Sequence, residues 1–296
     1  MTRRTKGPSD VDVWLLAPNG PGHSQLLGRL DRVERARAAE LGLHHAARYV
    51  RARALLRGVL ARRLGCRPRD VELRQRCPYC DRPHGRLEVV GTDATGSPLY
   101  VSVTRSGPLV AVAVTSTGPV GIDIEADADV AASPLADVAL TPAELDAHLR
   151  RPAAARPADL ARSWVRKEAV LKASGTGLRT APALLELADL ADLAGPADLR
   201  VAHGPDGSPA RLSVASLHLG EGISGAVALA RPSRGERHRT PSVGVRVHDG
   251  GPVLLALTGR AAPPVGVGPA VSGCARGAEP AAGGRPARQP AGLRPA

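Results

Sequence analysis

Four side chains in this sequence have the types and spacing to do chemistry together. Asp123 and Glu125 alternate with two isoleucines in Val120-Gly121-Ile122-Asp123-Ile124-Glu125. Glu168 and Lys172 lie in Trp164-Val165-Arg166-Lys167-Glu168-Ala169-Val170-Leu171-Lys172. On a strand, Asp123 and Glu125 point to one face and Ile122 and Ile124 to the other. Two neighbouring carboxylates repel, and a hard cation such as Mg2+ relieves that repulsion. Taken alone, the pair also describes a solvated strand edge. On a helix, Glu168 and Lys172 share a face, with Trp164 one turn earlier. They read either as an exposed ion pair worth ~0.3–0.5 kcal/mol, or as a third metal carboxylate beside a phosphate-binding ammonium. Gly175 and Gly177 follow and are placed to end that helix.

The surrounding pattern supplies elements to hold these groups. Val11 to Ala17 reads as a strand. Asp31 to Gly65 is an Arg- and Ala-rich helical region broken near Gly42, followed by a loop from Cys66 to Gly96. Leu99–Thr104, Leu109–Val114 and Val120–Glu125 read as strands, with Ser106-Gly107-Pro108 as a turn. Thr141-Pro142-Ala143-Glu144 has the form of a capping box that opens a helix. A second helix is expected from about Asp159 to Ser174. Strands at Arg200–His203, Arg211–Leu219 and Ile223–Ala230 close the pattern. Two blocks of strands and helices predict an α+β protein with two halves, residues 1–118 and 119–232. Residues 233–296 hold twelve Gly and nine Pro. They are expected to be a disordered tail, with one apolar run, Val253 to Leu257, able to form a short strand.

Composition narrows the partners. The chain has 296 residues and a net charge of +12, but nine Arg against three acids past Ser233 supply half of that excess. The remaining body is mildly basic, which suits a polyanionic small molecule or an acidic protein and does not demand nucleic acid. With no Phe, two Trp and three Tyr, the core must be aliphatic. The polar, basic N-terminus predicts no signal peptide, and no run approaches the ~18 apolar residues of a membrane span. A cytoplasmic protein with reduced thiols is therefore expected.

Both motifs together resemble the 4′-phosphopantetheinyl transferases, which carry Gly-x-Asp-x-Glu followed by Trp-x-x-Lys-Glu-Ala-x-x-Lys-x-x-Gly-x-Gly-Leu. Every fixed position matches from Gly121 through Leu178. The resemblance covers roughly residues 11–232 and points to the surfactin-synthetase-activating (Sfp-like) class. It implies two pseudo-symmetric halves in one chain, each a small, mostly antiparallel sheet packed against a long helix, and a monomer is expected. It also implies transfer of phosphopantetheine from coenzyme A to a serine of an acyl or peptidyl carrier protein. Asp123, Glu125 and Glu168 correspond to Mg2+ carboxylates, with Glu168 also a candidate acceptor of the serine proton. Lys172 corresponds to a lysine at the coenzyme A phosphates, placed to stabilise the leaving phosphate. Lys167 matches the motif too and is grouped with the coenzyme A-binding residues, without a defined role. Looser matches place Arg86, in Gly85-Arg86-Leu87, and Arg48 at the nucleotide. Arg105, in Val103-Thr104-Arg105-Ser106, stands where the family has a histidine. It retains the capacity to bind phosphate but not an acid–base role.

A rival reading rests on Cys77-Pro78-Tyr79-Cys80 with His84 and Cys66, the ingredients of a zinc knuckle and hence of a nucleic-acid-binding module. The scarcity of aromatics argues against base stacking. An inactive carrier-binding scaffold is a third reading, against which the three acids speak.

Overall fold

The computed structural model describes residues 10–18, 20–75, 85–185, 197–200, 211–231 and 243–259. Ten strands and eight α-helices alternate along them. The first part holds β1 (Asp10–Leu16), α1 (His23–Leu26), α2 (Arg32–Ala39), α3 (Leu43–Leu64), β2 (Leu73–Gln75), β3 (Leu87–Thr92), β4 (Pro98–Ser106) and β5 (Leu109–Thr115). The second holds β6 (Val120–Ala126), α4 (Asp127–Ala131), α5 (Ala136–Ala139), α6 (Pro142–Arg150), α7 (Arg156–Ser174), β7 (Ala197–Arg200), β8 (Arg211–His218) and β9 (Ile223–Arg231). Then come β10 (Gly244–Asp249) and α8 (Gly251–Leu257). The expected break near Gly42 separates α2 from α3. The expected capping box opens α6, with the Glu144 amide donating to Thr141 Oγ1 at 3.2 Å and the Thr141 amide to Glu144 Oε2 at 2.8 Å.

The strands form two sheets, ordered β10-β1-β5-β4-β3-β2 and β6-β9-β8-β7. All pairings are antiparallel except β1 with β10. Strand alternation builds the layers. In β5, Val110, Val112 and Val114 pack with Leu55, Leu56 and Leu60 of α3. The intervening Ala111 and Ala113 face Ile122, Ile124, Val227 and Leu229 of the second sheet. The other face of that second sheet, with Val214, Ala226 and Ala228, packs on Val165, Ala169 and Val170 of α7. Each half is thus a sheet against a long helix, and the two sheets share a core between them. Helix, sheet, sheet and helix stack in that order, which is the α+β architecture expected.

Two expectations fail. The stretch from Cys66 to Gly96 is not all loop, because it contains β2 and β3. The residues from Ser233 onward are not wholly a tail. β10 pairs with β1 from Asp10↔Gly244 to Leu15↔Asp249, and Val253 and Leu254 are buried in the first core. The Val253–Leu257 run is helical, not a strand. The physical reason is tertiary. Gly58 leaves α3 bare where α8 crosses it, and a Cβ there would meet Val253 Cγ1 at 2.8 Å. The bare stretch lets α8 lie close on α3, where Val253 and Leu254 join the first core. The described elements therefore continue to α8, which packs into the core of the first half.

Candidate active site

Asp123 and Glu125 project from β6 toward α7, while Ile122 and Ile124 enter the core between the sheets. Gly121 sets the spacing. A Cβ on it would lie 1.9 Å from the Ala169 carbonyl oxygen, so only glycine lets α7 approach β6 this closely. That approach carries Lys172 to the strand. Its Nζ donates to Asp123 Oδ1 at 2.6 Å and to the Ile122 carbonyl at 3.2 Å.

Strand β4 fixes the carboxylates from the other half, which the sequence reading missed. Thr104 Oγ1 donates to Asp123 Oδ1 at 2.8 Å and Ser106 Oγ to Glu125 Oε2 at 2.6 Å. Ser102 Oγ accepts from the Ile122 amide at 3.1 Å. The alternation Ser102, Thr104, Ser106 is the signal that could have found them. One face of β4 is hydroxylic where the next strand is acidic.

Burial pushes the Glu168 carboxyl above the ordinary range; Lys172 opposes the shift, and Asp123 and Glu125 add to it. Burial likewise raises Glu125, with the Ser106 hydrogen bond opposing and Asp123 adding. Three acids are therefore close enough to feel one another. Asp123 Oδ2 and Glu168 Oε1 are buried with no hydrogen-bond partner. Orphaned buried oxygens on hard, anionic donors fit a divalent cation, and a native protein rarely leaves such atoms unpaired. Among the described residues, no three His, Cys, Asp or Glu side chains are grouped closely enough to hold a metal ion; Lys172 stands against Asp123.

The ammonium of Lys172 also lines a cavity of ≈ 550 Å³ between the halves. Arg86 and Arg105 line it with Tyr49, Arg53 and Thr176. Arg86 crosses the end of α7, donating from Nη1 to the Ala173 carbonyl at 3.2 Å. A second cavity of ≈ 260 Å³ shares Tyr49 and Arg105 with the first and adds Arg37, His45 and Arg48. Arg48 donates to the Gly107 carbonyl at 3.1 Å. Of the basic residues singled out in the sequence, Arg86, Arg105 and Lys172 thus meet in one cavity, and Arg48 lies in its neighbour.

Lys167 lines neither cavity, which corrects the expectation that it binds the cofactor. Its side chain is fully buried, with Nζ donating to the Ala139 carbonyl at 2.6 Å and to Glu144 Oε2. The same Glu144 caps α6, so Lys167 clamps α5 and α6 onto α7 beside Glu168. Breaking a buried ion pair from one side typically costs ~3–5 kcal/mol. Lys167→Ala is expected to lose about that much in urea unfolding, and Lys167→Met combined with Glu144→Gln to lose clearly less. Equal losses would show that the charge pairing is not what holds the helices. Trp164 is a packing residue in contact with both cores of the second half. Cys77, Cys80 and His84 lie outside the described residues, and Cys66 is an exposed free thiol.

Residues 119–227 match the 4′-phosphopantetheinyl transferase superfamily. At the family level, that match indicates transfer of phosphopantetheine onto carrier proteins. It spans β6 through most of β9 and so takes in all three acids, Lys167 and Lys172. The hydroxyls of β4 and the arginines at positions 48, 86 and 105 fall outside the matched span, although they build the other wall of the site. Among curated proteins, none matches the chain. No helix among the described residues is long and apolar enough to cross a membrane.

Proposed function

We propose that this protein is a phosphopantetheinyl transferase of the two-halved, surfactin-synthetase-activating kind. It moves phosphopantetheine from coenzyme A onto the serine of an acyl or peptidyl carrier protein, with Mg2+ held by Asp123, Glu125 and Glu168. The observation that carries this reading is the pair of buried, unpartnered oxygens on Asp123 and Glu168. They adjoin a lysine that opens onto a cavity walled by arginine.

Mg2+ on these carboxylates would supply charge neutralisation for the pyrophosphate. The chain's own groups do the rest. Thr104 and Ser106 hold two of the carboxylates in place. Lys172, Arg86 and Arg105 present cationic donors to phosphate oxygens, and most of the rate in such transfers comes from positioning and charge. The serine hydroxyl attacks the phosphorus that bears the pantetheine arm, and adenosine 3′,5′-bisphosphate leaves. The Glu168 carboxylate accepts the serine proton, directly or through a water, as the general base.

Incubation with coenzyme A, Mg2+ and a panel of apo-carriers, read by intact mass, tests the reading. Mass should be added to at least one carrier, at a single serine, and the addition should stop with excess chelator. No addition to any carrier would sink the proposal, and full transfer in chelator would sink the metal assignment.

Arg105 gives a sharper expectation. If it binds the 3′-phosphate, Arg105→Ala should weaken coenzyme A by about tenfold or more, the worth of one charge-assisted pair. It should barely affect 3′-dephospho-coenzyme A. Equal losses by calorimetry would remove Arg105 from that phosphate.

A further inference from the structure

The guanidinium of Arg105 lines both cavities, yet among the described residues no carboxylate or carbonyl accepts from it. It lies over the ring of Tyr49, with its central carbon 5.7 Å from the ring centroid. The same ring carries Arg53 at 5.5 Å. Arg53 is secured independently. It lies 3.7 Å from Glu34 and donates to Gln75 Oε1 at 3.3 Å. Tyr49 and Arg53 are one turn apart on α3, so ring and guanidinium share a face by helix geometry. Arg105 comes from β4, across the cavity mouth.

Two guanidiniums that repel one another therefore meet at one aromatic ring. Desolvation, followed by the charges of Arg53 and Arg48, makes the charged form of Arg105 harder to hold than in water. The negative face of a ring offsets part of that cost and fixes the plane of a guanidinium, while its five donors stay free. Burial raises the Tyr49 hydroxyl, so the phenol is neutral at physiological pH and the ring supplies the interaction.

We propose that Tyr49 is a positioning residue that holds Arg105 at the junction of the two cavities. There it receives a phosphomonoester, and Tyr49 thereby sets selectivity for a 3′-phosphorylated nucleotide over its dephosphorylated form. This rests on the coenzyme A reading above and adds to it the residue that orients the receptor. The sequence explains why one is needed. An arginine has more rotamers to restrain than the histidine it stands in for, and an unrestrained side chain costs ordering entropy on binding.

The test is calorimetric binding of coenzyme A and of 3′-dephospho-coenzyme A to five forms: wild type, Tyr49→Phe, Tyr49→Leu, Arg105→Ala and the double variant Tyr49→Leu/Arg105→Ala. Tyr49→Phe keeps the ring and should retain the wild-type preference within about twofold. Tyr49→Leu should weaken coenzyme A by about two- to fivefold, the equivalent of a cation–π contact at an exposed site, and leave the dephosphorylated ligand nearly unchanged. The double variant Tyr49→Leu/Arg105→Ala should be little worse than Arg105→Ala alone, since both act on one contact. Additive losses, or equal weakening of both ligands by Tyr49→Leu, would overturn the proposal. If Tyr49→Leu fails to fold, Tyr49→Met is read the same way. A wild type that binds coenzyme A but ignores the 3′-phosphate would overturn this inference and leave the transfer reading standing. A wild type that binds neither ligand would overturn both.

Discussion

Glu168→Gln is expected to abolish transfer while making the protein more heat-stable. The amide has nearly the shape of the carboxylate but cannot take the serine proton or supply an anionic metal donor. Loss of a general base costs about 10²–10⁴-fold in rate, and loss of a metal carboxylate adds to it. Stability moves the other way because Glu168 keeps an unpartnered oxygen out of water and shares its surroundings with two other acids. The sign follows from linkage. A carboxyl whose folded pKa is raised binds its proton more tightly in the native state than in the unfolded one. Its penalty is absent below the ordinary glutamate value, grows as pH rises through the raised value, and is complete above it. The variant and the wild type should therefore melt together at low pH and diverge as pH rises. With no added metal, the variant should lead by roughly 2–4 °C per kcal/mol relieved, for a protein of this size. A variant that melts lower at neutral pH would show that Glu168 is structurally satisfied and would remove the strain argument. Retained transfer would remove it from the chemistry. Added Mg2+ should narrow the gap by stabilising the wild type more, because ligand binding to the native state adds stability.

The second large effect concerns the C-terminal segment. Truncation after Thr240 should prevent the first half from folding stably, whereas truncation after Gly259 should leave the melting temperature nearly unchanged. The shorter chain loses β10, the parallel partner of β1, and α8, which covers α3 at Gly58. It also loses the buried Val243, Val253 and Leu254. Each aliphatic side chain withdrawn from water is worth ~1.5–3 kcal/mol. Three of them approach the ~5–15 kcal/mol by which a whole domain is stable. Asp12 would also lose its contacts to His248, at 2.9 Å, and to Arg246, at 3.3 Å. Circular dichroism and limited proteolysis of the two truncations distinguish the outcomes. Equal melting temperatures for both would show that β10 and α8 sit on a body that does not need them.

The sequence by itself determined the chemistry of the second half. Gly121, Asp123 and Glu125 on a strand, with Glu168 and Lys172 on a helix, follow from period-two and period-four spacing, which are local rules. So do the capping box at Thr141 and the break at Gly42. Tertiary structure alone decided the rest, because it concerns groups far apart in the chain. Thr104 and Ser106 reach the acids only because β4 lies beside β6 across the meeting of the two sheets. Arg105 and Tyr49 meet across a cavity mouth. Lys167 sits next to Glu168 in sequence, yet α6 rather than any ligand claims its charge. Arg57, one of many arginines on α3, is wholly buried and donates to Asp31, Glu34 and the carbonyls of Pro68 and Val71. No helical pattern distinguishes it from its solvated neighbours. The Gly- and Pro-rich composition past Ser233 hid β10 and α8 for the same reason. An element that gains its stability from a groove already built by distant residues needs little propensity of its own.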